Sequence, residues 1–94
     1  MPLCLVVHDL AQPGAEVLEA AVWELSESHW MVGTSMAVAT GVSPEYLADH
    51  LRRALRRAGL DGMLLAVGLT GDMALDGLPG EGRRWMQEQA QPQN

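Results

Sequence analysis

The first apolar run of the chain, Leu3-Cys4-Leu5-Val6-Val7-His8, ends on a carboxylate, Asp9. A strand-end aspartate has two common uses. It accepts N–H bonds from the backbone of the turn that follows it. Joined by a second carboxylate and by hydroxyls, it instead holds a hard cation such as Mg²⁺, which takes oxygen ligands and keeps several waters. Asp61, Thr34 and Ser35 are the oxygen donors that enter this second reading, provided the fold brings them to Asp9. His8, His29 and His50 lack a ligand spacing such as His-x-x-x-His, so they do not read as a ready-made metal set. Arg52, Arg53, Arg56 and Arg57 repeat at helical spacing. They form a stripe for phosphate or a solvated helix face, with Asp49 placed to answer part of their charge. The glycines at 68, 71, 77, 80 and 82 read as turn residues, because no Gly-Lys-Ser/Thr phosphate loop follows them.

These groups sit in a chain of 94 residues, enough for one domain, 1–90, with a polar tail at 91–94. A chain of this length buries only about 60 to 65% of its unfolded surface, so its core is marginal and oligomerisation is an economical source of stability. Hydrophobic residues make up 48% and charged residues 19%, which fits a packed domain and excludes intrinsic disorder. The single cysteine, Cys4, lies inside an apolar run and reads as a buried apolar residue. Met31, Met36 and Met63 read as core filler. No stretch reaches the length of a membrane span and no signal-peptide pattern opens the chain, so the expected location is cytoplasmic. Twelve acidic residues face six basic ones, for a formal charge of -6. That balance disfavours nucleic-acid partners, since phosphate-backbone affinity comes from concentrated lysines and arginines displacing counterions.

Leu3 to His8 is expected as a strand with apolar residues on both faces, the mark of a central position. Ala15 to Ser26 follows as an amphipathic helix, with Leu18, Ala21, Val22 and Leu25 inward and Trp23 toward the glutamate side. Ser28 to Thr40 reads as two strands joined by a short turn at Gly33. Ser43 and Pro44 supply a hydroxyl cap and a proline at the first helical position of a second helix running to about Ala58. Its inward stripe is Leu47, Leu51, Ala54, Leu55 and Ala58, and Gly59 ends it. Met63 to Leu69 is a fourth strand, and Glu81 to Gln89 a short terminal helix carrying Trp85 and Met86.

The order βαββαβ, with right-handed crossovers, predicts an α+β fold of ferredoxin-like type: a four-stranded antiparallel sheet in the order 4-1-3-2 with two helices on one face. The fourth strand then becomes a long uncharged edge, which proteins cover or pair. One of the two sets Cys4/Val6 and Leu3/Leu5/Val7 faces away from the helices, and a homodimer is the expected cover. In this topology Asp9 neighbours Asp61 and the Thr34–Ser35 turn, while Asp72 and Asp76 fall at the opposite rim.

Several segments recur in order in a known group: Leu5-Val6-Val7-His8-Asp9-Leu10 with Pro13-Gly14, Ser28-His29-Trp30, Thr34-Ser35 before an apolar strand, and Leu69-Thr70-Gly71-Asp72. Across residues 3 to 89 the chain resembles the small bacterial SinR-like proteins. Those in turn resemble the second of the universal CRISPR-associated proteins, ferredoxin-like homodimers that are metal-dependent nucleases in some members and integration scaffolds in others. The resemblance implies that Asp9 from two subunits shares a metal, Mg²⁺ or Mn²⁺, which activates water against a phosphodiester. The chain departs from that group in carrying His8 where tyrosine is typical, and in lacking the basic residues expected soon after Asp9.

Two functions from different classes follow. One is a noncatalytic dimeric scaffold or partner-binding module. The other is a metal-dependent endonuclease with Asp9 as its catalytic carboxylate, Asp61 as a further metal ligand, and Thr34, Ser35, Arg52, Arg53 and Arg56 as binding residues. The acidic surface ranks the first ahead of the second.

Overall fold

A computed structural model of the chain describes residues 3–69, 74, 76, 77 and 79–90. Thr70, Gly71 and Asp72 of the motif quoted above, and the 91–94 tail, lie outside the described residues.

The elements are β1 (Leu3–His8), α1 (Gly14–Leu25), β2 (Ser26–Val32), β3 (Ser35–Thr40), α2 (Pro44–Arg57), β4 (Leu64–Leu69) and α3 (Gly80–Ala90). The four strands form one antiparallel sheet in the order β2-β3-β1-β4, which is the expected 4-1-3-2 counted from the other edge. The protein is therefore α+β, with β1 and β3 central as the apolar runs required.

Strand alternation divides the sheet's side chains into two sets. Cys4 pairs with Val38 and Val6 with Met36, and these four form one core cluster with Leu18, Ala21 and Val22 of α1 and Leu47, Leu51 and Leu55 of α2. All three α2 leucines are fully buried, so replacing any one by alanine costs about 2–5 kcal/mol. The opposite set begins with Leu3 and Ala37, which pack with Met86 of α3 in a second cluster, flanked by Val32, Leu69 and Trp85. The C-terminal helix thus covers part of the face that the first two helices leave.

Local signals explain the helix boundaries. Ser43 Oγ accepts the Tyr46 N–H at 3.1 Å and Pro44 opens α2, as expected. The helix closes in a Schellman arrangement, with the Leu60 N–H donating to the Leu55 carbonyl at 2.9 Å and Gly59 to Arg56 at 3.0 Å. Ala58 is the cap residue and is exposed, so the buried stripe stops one turn short of the expected one. In α1 no side chain caps Pro13, and the Gln12 side-chain oxygen instead accepts the Glu16 N–H at 3.2 Å.

β2 begins at Ser26, directly after α1 and earlier than the apolar residues indicate, with a register irregularity between Ser26 and Ser28. The buried Thr40 hydroxyl fastens this junction: it donates to the Leu25 carbonyl at 2.7 Å and accepts the Val42 N–H at 3.3 Å. Gly33 turns β2 into β3 with φ 62°, a left-handed conformation that glycine adopts without steric cost. Met36 is buried as expected, but Met31 and Met63 are 42% and 46% exposed. Met31 lies on the outer strand β2 and Met63 just before the outer strand β4, where the helices no longer cover them.

Candidate functional site

The corner between β1 and β4 gathers both aspartates of the proposed cation site. Asp9 Oδ1 accepts the Met63 N–H at 2.7 Å, and Asp61 Oδ1 accepts the Gly62 N–H at 3.0 Å. The two carboxylates thus grip consecutive amides at the entrance to β4. Arg52 completes the corner by donating to the Gly62 carbonyl at 2.6 Å, with a guanidinium nitrogen 3.6 Å from Asp61 Oδ1. The arrangement fastens the α2–β4 connection to the end of β1. Asp9 accordingly engages the backbone, though at a distant strand rather than at the turn following it.

Thr34 belongs to a different place. It lines a cavity of about 270 Å³ with His8, Leu10, Gln12, Glu19, Met31 and other residues of the β1–α1 connection and the β2–β3 turn. Asp9 is not part of that lining. His8 Nδ1 accepts the Leu10 N–H at 3.1 Å, so a neutral His8 carries its proton on Nε2. Ser35 pairs with Val32 at the start of β3. Among the described residues, no three His, Cys, Asp or Glu side chains are grouped to hold a metal ion.

The remaining histidines take carboxylate partners. His29 Nε2 lies 3.3 Å from Glu19 Oε1, and its ring meets Trp23 edge-on at 4.7 Å. The His29 side chain is largely buried, and its Nδ1 has no hydrogen-bond partner among the described residues. His50 Nε2 lies 3.3 Å from Glu24 Oε1, tying α2 to the end of α1. Cys4 is buried, and desolvation raises its thiol pKa above the ordinary value, which keeps it protonated and unreactive.

The four α2 arginines have separate environments. Arg52 is held in the β4 corner, and Arg53 pairs with Asp49 at 3.1 Å. Arg56 and Arg57 have no carboxylate within ion-pair distance among the described residues, and both line a depression with Glu24, Tyr46, His50 and Arg53. Sequence reading missed Tyr46 and Glu24. Tyr46, His50, Arg53 and Arg57 follow a 4-3-4 spacing that was visible as one helix stripe, whereas Glu24 is joined to His50 only by the packing of α1 on α2.

The outer surface of β4 exposes two large apolar side chains. Leu65 and Val67 are 50% and 39% exposed. Register places them beside Val7 and Leu5 on the sheet side opposite the α1–α2 cluster. Among the described residues β4 is an edge strand, bonded only to β1.

No protein-family model, no curated protein and no solved structure matches this chain. No helix among the described residues is long and apolar enough to cross a membrane.

Proposed function

We propose that this protein is a noncatalytic, ferredoxin-like homodimeric scaffold of SinR-like type, which joins through β4 and presents its remaining surface to a protein partner. The observation that carries this reading is the uncharged edge strand with Leu65 and Val67 exposed beside Leu5 and Val7. Such an edge leaves backbone donors and acceptors unpaired next to apolar side chains, a combination that favours strand addition. A second β4 related by a two-fold axis pairs antiparallel with the first and brings the two Leu65/Val67 strips together. The scaffold reading is further supported by the backbone bonds of Asp9 and Asp61, which give both carboxylates a structural role. A net charge of -6 works against a polyanionic substrate, and Arg52 is already held by Asp61 and Gly62.

Amide exchange measured across a concentration series tests the interface. β4 amides that are unpaired within one chain gain protection as the concentration rises, while the β1–β3 amides remain protected throughout. Concentration-independent exchange in β4 contradicts the proposal. The competing nuclease reading is tested by incubating the protein with Mg²⁺ or Mn²⁺ and RNA or DNA. Cleavage that disappears in Asp9→Ala overturns the noncatalytic assignment.

A further inference from the structure

The structure assigns a second site to the outer face of α2: we infer that its arginine-lined depression binds a nucleoside monophosphate, a phosphate monoester carrying a flat heteroaromatic group. The depression has a volume of about 520 Å³, within the roughly 300–1,000 Å³ of small-molecule sites. Its lining divides along the helix into two chemically distinct ends. Arg53, Arg56 and Arg57 crowd one end, and Tyr46 and His50 lie toward the other.

The arginine end suits a phosphate monoester. Guanidinium groups match phosphate oxygens in planar, paired hydrogen bonds. Arg56 and Arg57 have no carboxylate partner among the described residues, so a bound dianion need not displace an ion pair from either. Their place in the last turn of α2 also favours positive charge at the helix C-terminus, which accounts for two arginines there. It does not account for the aromatic groups aligned with them. The acidic neighbours are partly answered: Glu24 faces His50, and Asp49 pairs with Arg53. Glu45 precedes Tyr46 in the first turn and lies outside the lining.

The other end suits a planar group. Tyr46 is exposed within the lining, and its ring offers a face for stacking. Seven residues separate Tyr46 from Arg53, which in an α-helix is a rise of roughly 10 Å. Inorganic phosphate cannot span that distance, but a nucleoside monophosphate has its planar base and its charged ester at comparable separation. The two ends therefore define one elongated ligand. This site lies on α2 and is independent of the β4 interface proposed above.

The test compares three probes, adenosine monophosphate, adenosine and inorganic phosphate, by calorimetric titration and by backbone amide shifts at constant ionic strength. Adenosine monophosphate is expected to bind saturably, at least tenfold tighter than either of the others, with shifts centred on residues 46–57. The double variant R56A/R57A is expected to weaken it at least tenfold. Tyr46→Ala should bring its affinity down to that of inorganic phosphate. All three side chains are exposed, and unchanged far-ultraviolet circular dichroism identifies variants that retain the fold. Absence of saturable binding at millimolar adenosine monophosphate overturns the proposal. So does equal affinity for inorganic phosphate, or binding undiminished in R56A/R57A.

Discussion

The Asp9 carboxylate accepts a 2.7 Å hydrogen bond from the Met63 amide, 54 residues further along the chain. One side chain thereby joins the end of β1 to the entrance of β4, and Asp61 holds the adjacent Gly62 amide. Hydrogen bonds to a charged acceptor contribute about 1.5–3 kcal/mol, with the lower end suited to this exposed corner. Asp9→Ala should therefore destabilise the fold by about 1–2 kcal/mol in urea denaturation. Asp9→Asn keeps an oxygen acceptor and should lose less. Equal stability of Asp9→Ala and the parent contradicts this role.

Gly82 packs against the Trp30 indole so closely that an added Cβ would meet Nε1 at 2.5 Å. A methyl group there pushes α3 away from β2, since the indole is a rigid body with few ways to yield. Gly82→Ala should red-shift tryptophan fluorescence and raise amide exchange in α3 while leaving α2 protected. The same change also weakens the contact of Trp85 Nε1 with Ser28 Oγ, which is 3.2 Å long. An unchanged emission spectrum and unchanged α3 exchange contradict this packing.

The Thr40 hydroxyl is fully buried and serves both Leu25 and Val42. Thr40→Val preserves the shape and removes both bonds, leaving a carbonyl and an amide without a side-chain partner. The expected loss is about 1–3 kcal/mol in chemical denaturation. Thr40→Ser, which retains the hydroxyl, should recover part of it. A valine variant as stable as the parent contradicts the tie between the end of α1 and the end of β3.

Burial raises the Cys4 thiol pKa in the folded chain. Above the unfolded thiol pKa, the unfolded chain loses this proton while the folded chain keeps it. Fewer protons on the unfolded state mean that stability falls with rising pH, until the pH passes the folded value. The contribution is fully present below the unfolded pKa, ordinarily about 8.5. Denaturation midpoints measured from pH 7 to 10 should decline more steeply in the parent than in Cys4→Ala, whatever the offset in absolute stability. Identical slopes contradict burial of this thiol.

Much of the fold was legible because local chemistry and global packing agree. Leu3 to Val7 reads as central and is central, and Ser43-Pro44 marks the start of α2 through a cap that forms. The misreadings arose where tertiary contacts decide. Ser26 reads as the last residue of the first helix and the next strand as starting at Ser28, yet Ser26 and Glu27 extend β2 because it pairs with β3 up to Thr40. Met31 and Met63 resemble core residues by type and are exposed by position, at the outer strands. The meeting of Asp9 and Asp61 at one corner followed from strand order, but the amides they hold did not, since no local spacing marks a bond from Asp9 to Met63. Thr34 was expected beside Asp9 and instead lines a cavity with His8, because alternation sends neighbouring side chains of β1 to opposite sides. Tyr46 shares the helical stripe of His50, Arg53 and Arg57, but a lone exposed aromatic residue carries no local mark of the depression that it lines.

The association of two chains through β4 is the central claim, and sedimentation velocity from 1 to about 100 μM tests it most directly, over the range where standard-sized interfaces are populated. The parent is expected to sediment as a dimer at the upper concentrations, and Leu65→Lys with Val67→Lys as a folded monomer, because two charges cannot be buried unpaired in the joined strip. A monomeric parent at every concentration, or a dimer that persists in the double variant, contradicts the account.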